Sequence, residues 1–383
     1  MRVRLVLLAS LLVAACANVP EPLSSDQLLN DSLFAASSQR ISGNDVFAVS
    51  PEMKRYLATD IAADVKIKGP QQGLFDALYS KNQLQLEYES TITRNAAQAF
   101  TARAGNCLSL VIMTGAFAKE MGLTVKYQQG YVDETWSRAG DLYLSIGHIN
   151  LTLGMRHSEI GSPYYEGDKL TIDFLPPADI RGMHSRVVRE ETIIAMYMNN
   201  RAVESMAVGQ LDDAYWWARE AIVQDPRFKS SYNTLGAIYE KHGNLGQAEQ
   251  VLTYALAWEP KNTHVMSNLV AVLKALGRNL EATELARKLA QLEPDPPFGF
   301  FDRGIVAMRA SEYVLARDLF AKEVDRAPYY HEFHFWLAAA YVGLGEFDLA
   351  RKHMSIAMEN SPTRGDRELY AVKLEKINAH RTR

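Results

Sequence analysis

The chain has 383 residues, 48% of them hydrophobic and 22% charged, with a formal net charge of -4. That length has room for two or three domains with ordinary globular cores. The lack of a basic surplus or a basic run argues against a nucleic-acid partner, and beyond the N-terminus no apolar stretch is long enough to span a bilayer.

In chain order the first element is a leader. Arg2 and Arg4 precede an apolar run, Leu5 to Val13, which ends in Val13-Ala14-Ala15-Cys16. Basic region, apolar segment and small-residue site in this order read as a secretory signal. Ending on a cysteine, residues 1–15 resemble the signal of a bacterial lipoprotein. The resemblance implies cleavage before Cys16 and acylation of that residue, with more than one chain for stable anchoring. Ala17 in place of an aspartate implies sorting to the outer membrane, facing the periplasm. Residues 16–25, with Pro20, Pro22 and two serines, read as a tether.

Ser50-Pro51-Glu52 is a helix start, with a capping hydroxyl and a first-turn proline. Further helices are expected near 70–80 and from Thr93 to Ala102. Arg103-Ala104-Gly105-Asn106-Cys107 breaks and restarts the helix. Asn106 is a good N-cap, Leu108, Val111, Ile112 and Ala118 recur at helical spacing with Gly115 on the same face, and Gly122 closes the segment. Cys107 therefore falls in the first turn, where the helix dipole favours a nucleophilic thiolate. The free N–H groups of that turn can also face a developing oxyanion. With Cys16 acylated, Cys107 is the one remaining thiol of an exported chain. Export normally pairs cysteines, so an unpaired one is a candidate reactive group. The plainer alternative is a small buried hydrophobe.

Three strand-like segments follow: Leu123–Val132, then a loop with Trp136; Leu142–Leu153, with Gly147-His148; and Leu170–Phe174, with Asp173. A helix presenting a cysteine, followed by strands presenting His and Asp, is what a thiol triad needs. The imidazole moves the proton, and the carboxylate fixes its tautomer.

These stretches, R-A-G-N-C-L-S-L, A-F-A-K-E-M-G-L-T-V-K-Y, G-H-I-N-L and T-I-D-F, resemble the transglutaminase-like superfamily over about residues 84–176. The resemblance implies a papain-like α+β core in residues 26–176. It implies Cys107 as nucleophile, His148 as base and Asp173 as its orienter. His148-Ile149-Asn150 and Asp173-Phe174 depart from the family's usual His-Ala-Trp and Asp-Pro, so substrate choice does not carry over. Gln98, Gln128 and Gln129 are candidate side-chain oxyanion donors, Asn106 supports the helix start, Arg103 is available to pair with a carboxylate, and Trp136 could shield the thiol. No cofactor or metal is implied, and no calcium-binding run of carboxylates occurs.

Residues 177–192 read as a linker. Beyond them Pro226, Pro260, Pro294, Pro328 and Pro362 stand 34 residues apart. Ala214, Ala248, Ala282, Ala316 and Ala350 keep the same period, as do Gly209, Gly243, Gly277 and Gly345, with Ser311 in the missing glycine's place. This resembles five tetratricopeptide repeats, residues 193–362, in an all-α superhelix. Residues 363–383 read as a capping helix, with Leu369, Val372, Leu374 and Ile377 apolar. Such arrays hold a protein or peptide in a groove; Asn199, Asn200, Asn233, Asn268 and Arg303 are candidates to line it. His331 and His334 are a poor metal pair, since no third ligand completes a set.

Two functions follow. One is an envelope-anchored thiol enzyme that transfers an acyl group by hydrolysis, deamidation or cross-linking, with the array recruiting its protein. The other is a non-catalytic scaffold with an inactive transglutaminase-like domain.

Overall fold

The structure is a computed structural model. It describes residues 25–79, 84–89, 92–131, 136–139, 142–145, 148–156, 169–174, 184–361 and 363–379. The leader, Cys16, most of the tether and Pro362 lie outside the described residues. Among the described residues no helix is long and apolar enough to cross a membrane.

The N-terminal half begins with a short helix, α1 (Ser25–Leu28), and two 3-10 turns, Asp31–Leu33 and Gly43–Asp45. Helix α2 (Pro51–Thr59) starts as the sequence predicts, with Ser50 Oγ accepting from the Met53 N–H at 3.2 Å. Helices α3 (Ala62–Lys68) and α4 (Pro70–Tyr79) follow, then strand β1 (Glu87–Tyr88), α5 (Ala96–Ala102), β2 (Ala104–Gly105) and α6 (Cys107–Glu120). Every residue of α6 from Cys107 to Ala118 is buried.

Helix α6 packs against a four-stranded antiparallel sheet. Its strands, in spatial order, are β7 (Leu170–Ile172), β6 (His148–Arg156), β3 (Leu123–Tyr131) and β8 (His184–Val188). Gly115 sets how closely helix and sheet approach. A Cβ there would fall 2.6 Å from the hydroxyl of Tyr127, which stands opposite Leu151 in the β3–β6 register. Strands β4 (Trp136–Ala139) and β5 (Leu142–Ser145) form a separate hairpin.

Three expectations need correction. Trp136 opens β4 rather than lying in a loop. The stretch 142–153 holds two strands, β5 and β6, in different sheets. Within the expected linker 177–192, residues 177–183 lie outside the described residues, while Val188 to His184 pairs with Tyr127 to Tyr131 and makes β8 an edge of the main sheet.

From Glu190 to Ala379 every regular element among the described residues is a helix. The pairs are α7 (Glu190–Ala207) with α8 (Leu211–Gln224), α9 (Ser230–His242) with α10 (Leu245–Trp258), α11 (Thr263–Ala275) with α12 (Asn279–Leu292), α13 (Gly299–Arg309) with α14 (Tyr313–Arg326), and α15 (His331–Leu344) with α16 (Phe347–Glu359). The first pair starts at Glu190, three residues before the expected boundary. Ala214, Ala248, Ala282, Ala316 and Ala350 are all fully buried. Close helix approach explains the small residues: a Cβ on Gly236 would lie 2.5 Å from Leu252, and one on Gly304 2.5 Å from Phe320.

Helix α17 (Arg364–Ala379) caps the array, but on a different face from the one expected. Tyr370 and Ile377 are buried and Leu374 packs beside them, at helical spacing, while Leu369 and Val372 point outward. His331 and Tyr370 hydrogen-bond at 2.7 Å, and His334 meets His353 at 3.0 Å. The two histidines of α15 thus serve different neighbours.

The segment after α1 reaches across to the helical half. It lies along the first two repeats as a strap. Phe34 stacks on Tyr215 with ring centres 4.0 Å apart. Asp31 accepts from Tyr215 at 2.6 Å and Arg219 at 2.9 Å, and Trp216 Nε1 donates to the Ala35 carbonyl at 2.6 Å. Buried Asp213 accepts from the Ser38 N–H at 2.7 Å and from both serine hydroxyls, Ser37 at 2.9 Å and Ser38 at 2.5 Å. One apolar cluster consequently runs from Leu28 through α6 and the sheet into the repeats, ending at Ala282. A second runs from Phe298 to Ala340, and a third joins α15, α16 and α17.

Candidate thiol site

The R-A-G-N-C stretch builds the site by local chemistry. Arg103 adopts a left-handed conformation, φ 51°, and ends α5. Ala104 and Gly105 form the two-residue β2. A Cβ on Gly105 would fall 2.6 Å from Ser109 Cβ, so the chain passes the next helix only with glycine there. Asn106 then caps α6, its Oδ1 accepting from the Ser109 N–H at 2.9 Å and the Ser109 hydroxyl at 2.8 Å. Cys107 is the first helical residue, buried and without a disulfide. The remaining first-turn N–H groups stand at the positive end of the helix beside its sulfur.

His148 opens β6 and Asp173 directly follows β7. The β6–β7 register pairs Leu151 with Ile172, which carries Asp173 to the level of Asn150, two residues from His148 on the same side of β6. His148 Nε2 and Asp173 Oδ2 are 2.8 Å apart. The imidazole is 3% exposed, and burial by itself disfavours its charged form. Hydrogen bonding and charge from Asp173 and Cys107 outweigh that and push its pKa up to about 9. Nδ1, the ring nitrogen away from Asp173, makes no hydrogen bond. The structure thus brings Cys107, His148 and Asp173 together.

Two residues without a role in the sequence reading belong to this site. Asn150 Nδ2 donates to the same Asp173 Oδ2 at 2.9 Å, so the carboxylate is held from two sides. The signal was present: Asn150 is two residues from His148 on a strand, hence on the same side. The second is Tyr88. Its hydroxyl lies 3.7 Å from Cys107 Sγ, the thiol donating to the phenolic oxygen. Nothing local marks it, because it reaches Cys107 only through the parallel pairing of Tyr88 with Gly105.

Each of the expected side-chain oxyanion donors makes bonds away from Cys107, Gln98 and Gln129 through the amide oxygen and Gln128 through its nitrogen. Gln98 closes a capping box with Asn95 at the start of α5. Gln128 donates to Thr152 at 2.8 Å, and Gln129 accepts from Arg186 at 2.9 Å. Arg103 serves as the turn residue. The backbone of Trp136 is in β4, opposite Ser145; its side chain lies outside the described residues.

The site is wired to the helical half through Thr93. Its hydroxyl accepts from Asn106, the cap of α6, at 2.9 Å and from Asn200 of α7 at 3.3 Å. Its N–H donates to Glu204 of α7 at 2.7 Å. Asn200 is therefore tied inward rather than free in a groove, and Asn199 is buried. Asn268 Nδ2 donates to Asn233 Oδ1 at 2.9 Å, linking successive repeats. Arg303 lines a cavity of about 390 Å³ with Asp302, Val306, Glu312 and Leu315.

Comparison with known proteins bears on the helical half. Residues 230–262 match the tetratricopeptide repeat family. That match covers the α9–α10 pair. Similar solved structures include TTC0263, a thermophilic TPR protein of Thermus thermophilus. It is 20% identical over 47% of this chain and 98% of its own, with a TM-score of 0.31. Another is pilF of Pseudomonas aeruginosa, 18% identical over 51% of this chain and 88% of its own, TM-score 0.31. YrrB, described as a TPR protein with an unusual peptide-binding site, is 19% identical over 47% of this chain and 92% of its own, TM-score 0.25. No curated protein matches the chain.

Proposed function

We propose that this chain is a protein- or peptide-binding scaffold of the bacterial envelope, anchored through lipid on Cys16. The observation that carries the binding role is the five-pair tetratricopeptide array, a stacked surface of the kind used to hold extended partners. Anchoring rests on the order of basic residues, apolar run and Val13-Ala14-Ala15-Cys16. The expected result is that full-length protein cross-links to a discrete envelope protein in cells and fractionates with membranes. Cys16→Ser should move it to the soluble fraction. Membrane retention of that variant refutes the anchor, and cross-linking that no substitution on the repeat surface alters refutes the binding role.

A second reading, thiol-dependent acyl transfer in a papain-like, transglutaminase-like core, is favoured by one specific observation: the Cys107–His148–Asp173 arrangement. The sulfur would attack an amide carbonyl, His148 would hand its proton to the departing amine, and water or an amine would release the acyl group from Cys107. Asp173, steadied by Asn150, holds the imidazole in the needed tautomer. Labelling of Cys107 in the full chain by an electrophilic amide probe tests this, with Asp173→Asn expected to lose most of the reaction. Equal labelling in the variant removes the acyl-transfer reading and leaves the scaffold.

A further inference from the structure

We infer that the Tyr88 hydroxyl is the side-chain donor of an oxyanion site at Cys107, acting with the first-turn N–H groups of α6. The inference rests on the acyl-transfer reading and assigns that site a group nothing local in the sequence singles out.

An oxyanion donor has to sit about 2.7–3.1 Å from where the oxygen will be, not from the ground-state sulfur. In the tetrahedral intermediate that oxygen is two bonds from Sγ, through the attacked carbon. A hydroxyl 3.7 Å from Sγ is placed to reach it. Tyr88 is also held rigidly. The Glu87 N–H donates to the Arg103 carbonyl at 2.9 Å and the Glu89 N–H to the Gly105 carbonyl at 3.1 Å, so the backbone leading into Cys107 also carries Tyr88. Glu89 is pinned in turn by Arg94 at 2.8 Å. Both classes of donor thus hang from one short ladder, which fixes their spacing without substrate. The residue is 43% exposed, which leaves an approach for substrate. Its hydroxyl end is nevertheless withdrawn from water: burial first, then Cys107, raises its pKa far above the ordinary phenol value, so it stays protonated and able to donate. Among the alternatives, Gln128 already spends its amide N–H on Thr152.

The test separates acylation from alkylation. With p-nitrophenyl acetate, a C–S bond forms as the carbonyl π pair moves to oxygen. The C=O then re-forms as p-nitrophenolate leaves with its electron pair, and water later releases acetate. With iodoacetamide the sulfur displaces iodide at a saturated carbon and no oxyanion arises. Full-length wild type and Tyr88→Phe are compared with both reagents, reading alkylation at the Cys107 peptide by mass spectrometry. Tyr88→Phe should lower the acylation rate about 10²-fold, the usual effect of removing one such donor, while alkylation stays close to wild type and reports an intact site. Unchanged acylation overturns the assignment. A parallel fall in both rates makes Tyr88 a holder of the sulfur and overturns it too. A wild type that alkylates at Cys107 but never acylates removes the acyl-transfer reading itself, and the assignment with it.

Discussion

The first three repeats and the last two are built from the same 34-residue pattern but stand in different surroundings. Repeats one to three share a continuous apolar cluster with the strap, α6 and the sheet. Repeat four and helix α15 have a cluster of their own, from Phe298 to Leu337 and Ala340, and α15, α16 and α17 share another, from Ala338 to Ile377. Between them α12 buries a single residue, Ala282, and leaves Leu280 89% exposed. Repeat arrays gain stability from nearest-neighbour interfaces, so a poorly buried interface marks where cooperation weakens. The same motif therefore yields two mechanical units: one committed to positioning the thiol site, the other standing apart from it.

The largest expected effect tests that division directly. Phe320 is fully buried, packs on Phe301 with ring centres 5.7 Å apart, and fills the space left by Gly304. Phe320→Ala should cost the second unit about 3–5 kcal/mol. In calorimetry the transition of residues 298–379 should move down while that of the first unit stays in place, and proteases should nick the chain between α12 and α13. A single transition that shifts as a whole would show that the two units unfold as one, and the division would be wrong.

A smaller effect probes how firmly the strap joins the first unit. Burial opposes a charge on Asp213, but the hydrogen bonds from Ser38 and Ser37 outweigh it and hold its carboxyl below the usual carboxylate range. A carboxyl depressed in the folded state stabilises above its unfolded value of about 3.9 and loses that contribution as pH falls through the folded value. Asp213→Asn should destabilise the first unit by about 1–3 kcal/mol at neutral pH. The gap from wild type should close in acid. A gap that stays constant into acid would mean that shape, not charge, holds the strap.

What the sequence made legible follows the range of the interactions. The helix start at Asn106-Cys107 was readable because cap, dipole and thiol lie within one turn. The repeats were readable because each marker answers to a neighbour within its own unit. His148 and Asp173 were readable as ordered types on strands. The strap was not: Phe34, Ser37 and Ser38 meet their partners about 175 to 210 residues away, and the stretch by itself reads as polar loop. Strand β8 was lost for the same reason, since its pairing with β3 spans more than fifty residues and Val187 is exposed. The face of α17 was misjudged because Leu369 and Val372 are as apolar as the residues it buries; only the docking of Tyr370 against His331 and Phe335 selects the face.

The smallest expected effect lies within the second unit and has the opposite sign. Each repeat turns between its helices through a left-handed residue: Gly209, Gly243, Gly277 and Gly345, with φ between 77° and 89°. In the fourth repeat the residue is Ser311, at φ 60°. A side chain there costs roughly 1–2 kcal/mol through the clash of Cβ with the backbone, and glycine avoids this but loses more freedom on folding. The two terms leave Ser311→Gly about 0.5–1 kcal/mol more stable. The second transition should rise by a few degrees and the first should not move. Phe298, also at φ 60°, supplies the control. Its backbone would gain from glycine in the same way, but its ring is 1% exposed and meets Tyr330 and Phe333 with centres 5.3 Å and 5.1 Å away. Phe298→Gly should therefore destabilise the second unit, because the lost packing of a buried aromatic, about 3–5 kcal/mol, exceeds any relief of the backbone. If both substitutions stabilise, Phe298 is not a core residue of the second unit; if neither does, the left-handed turn carries no strain for the array to lose.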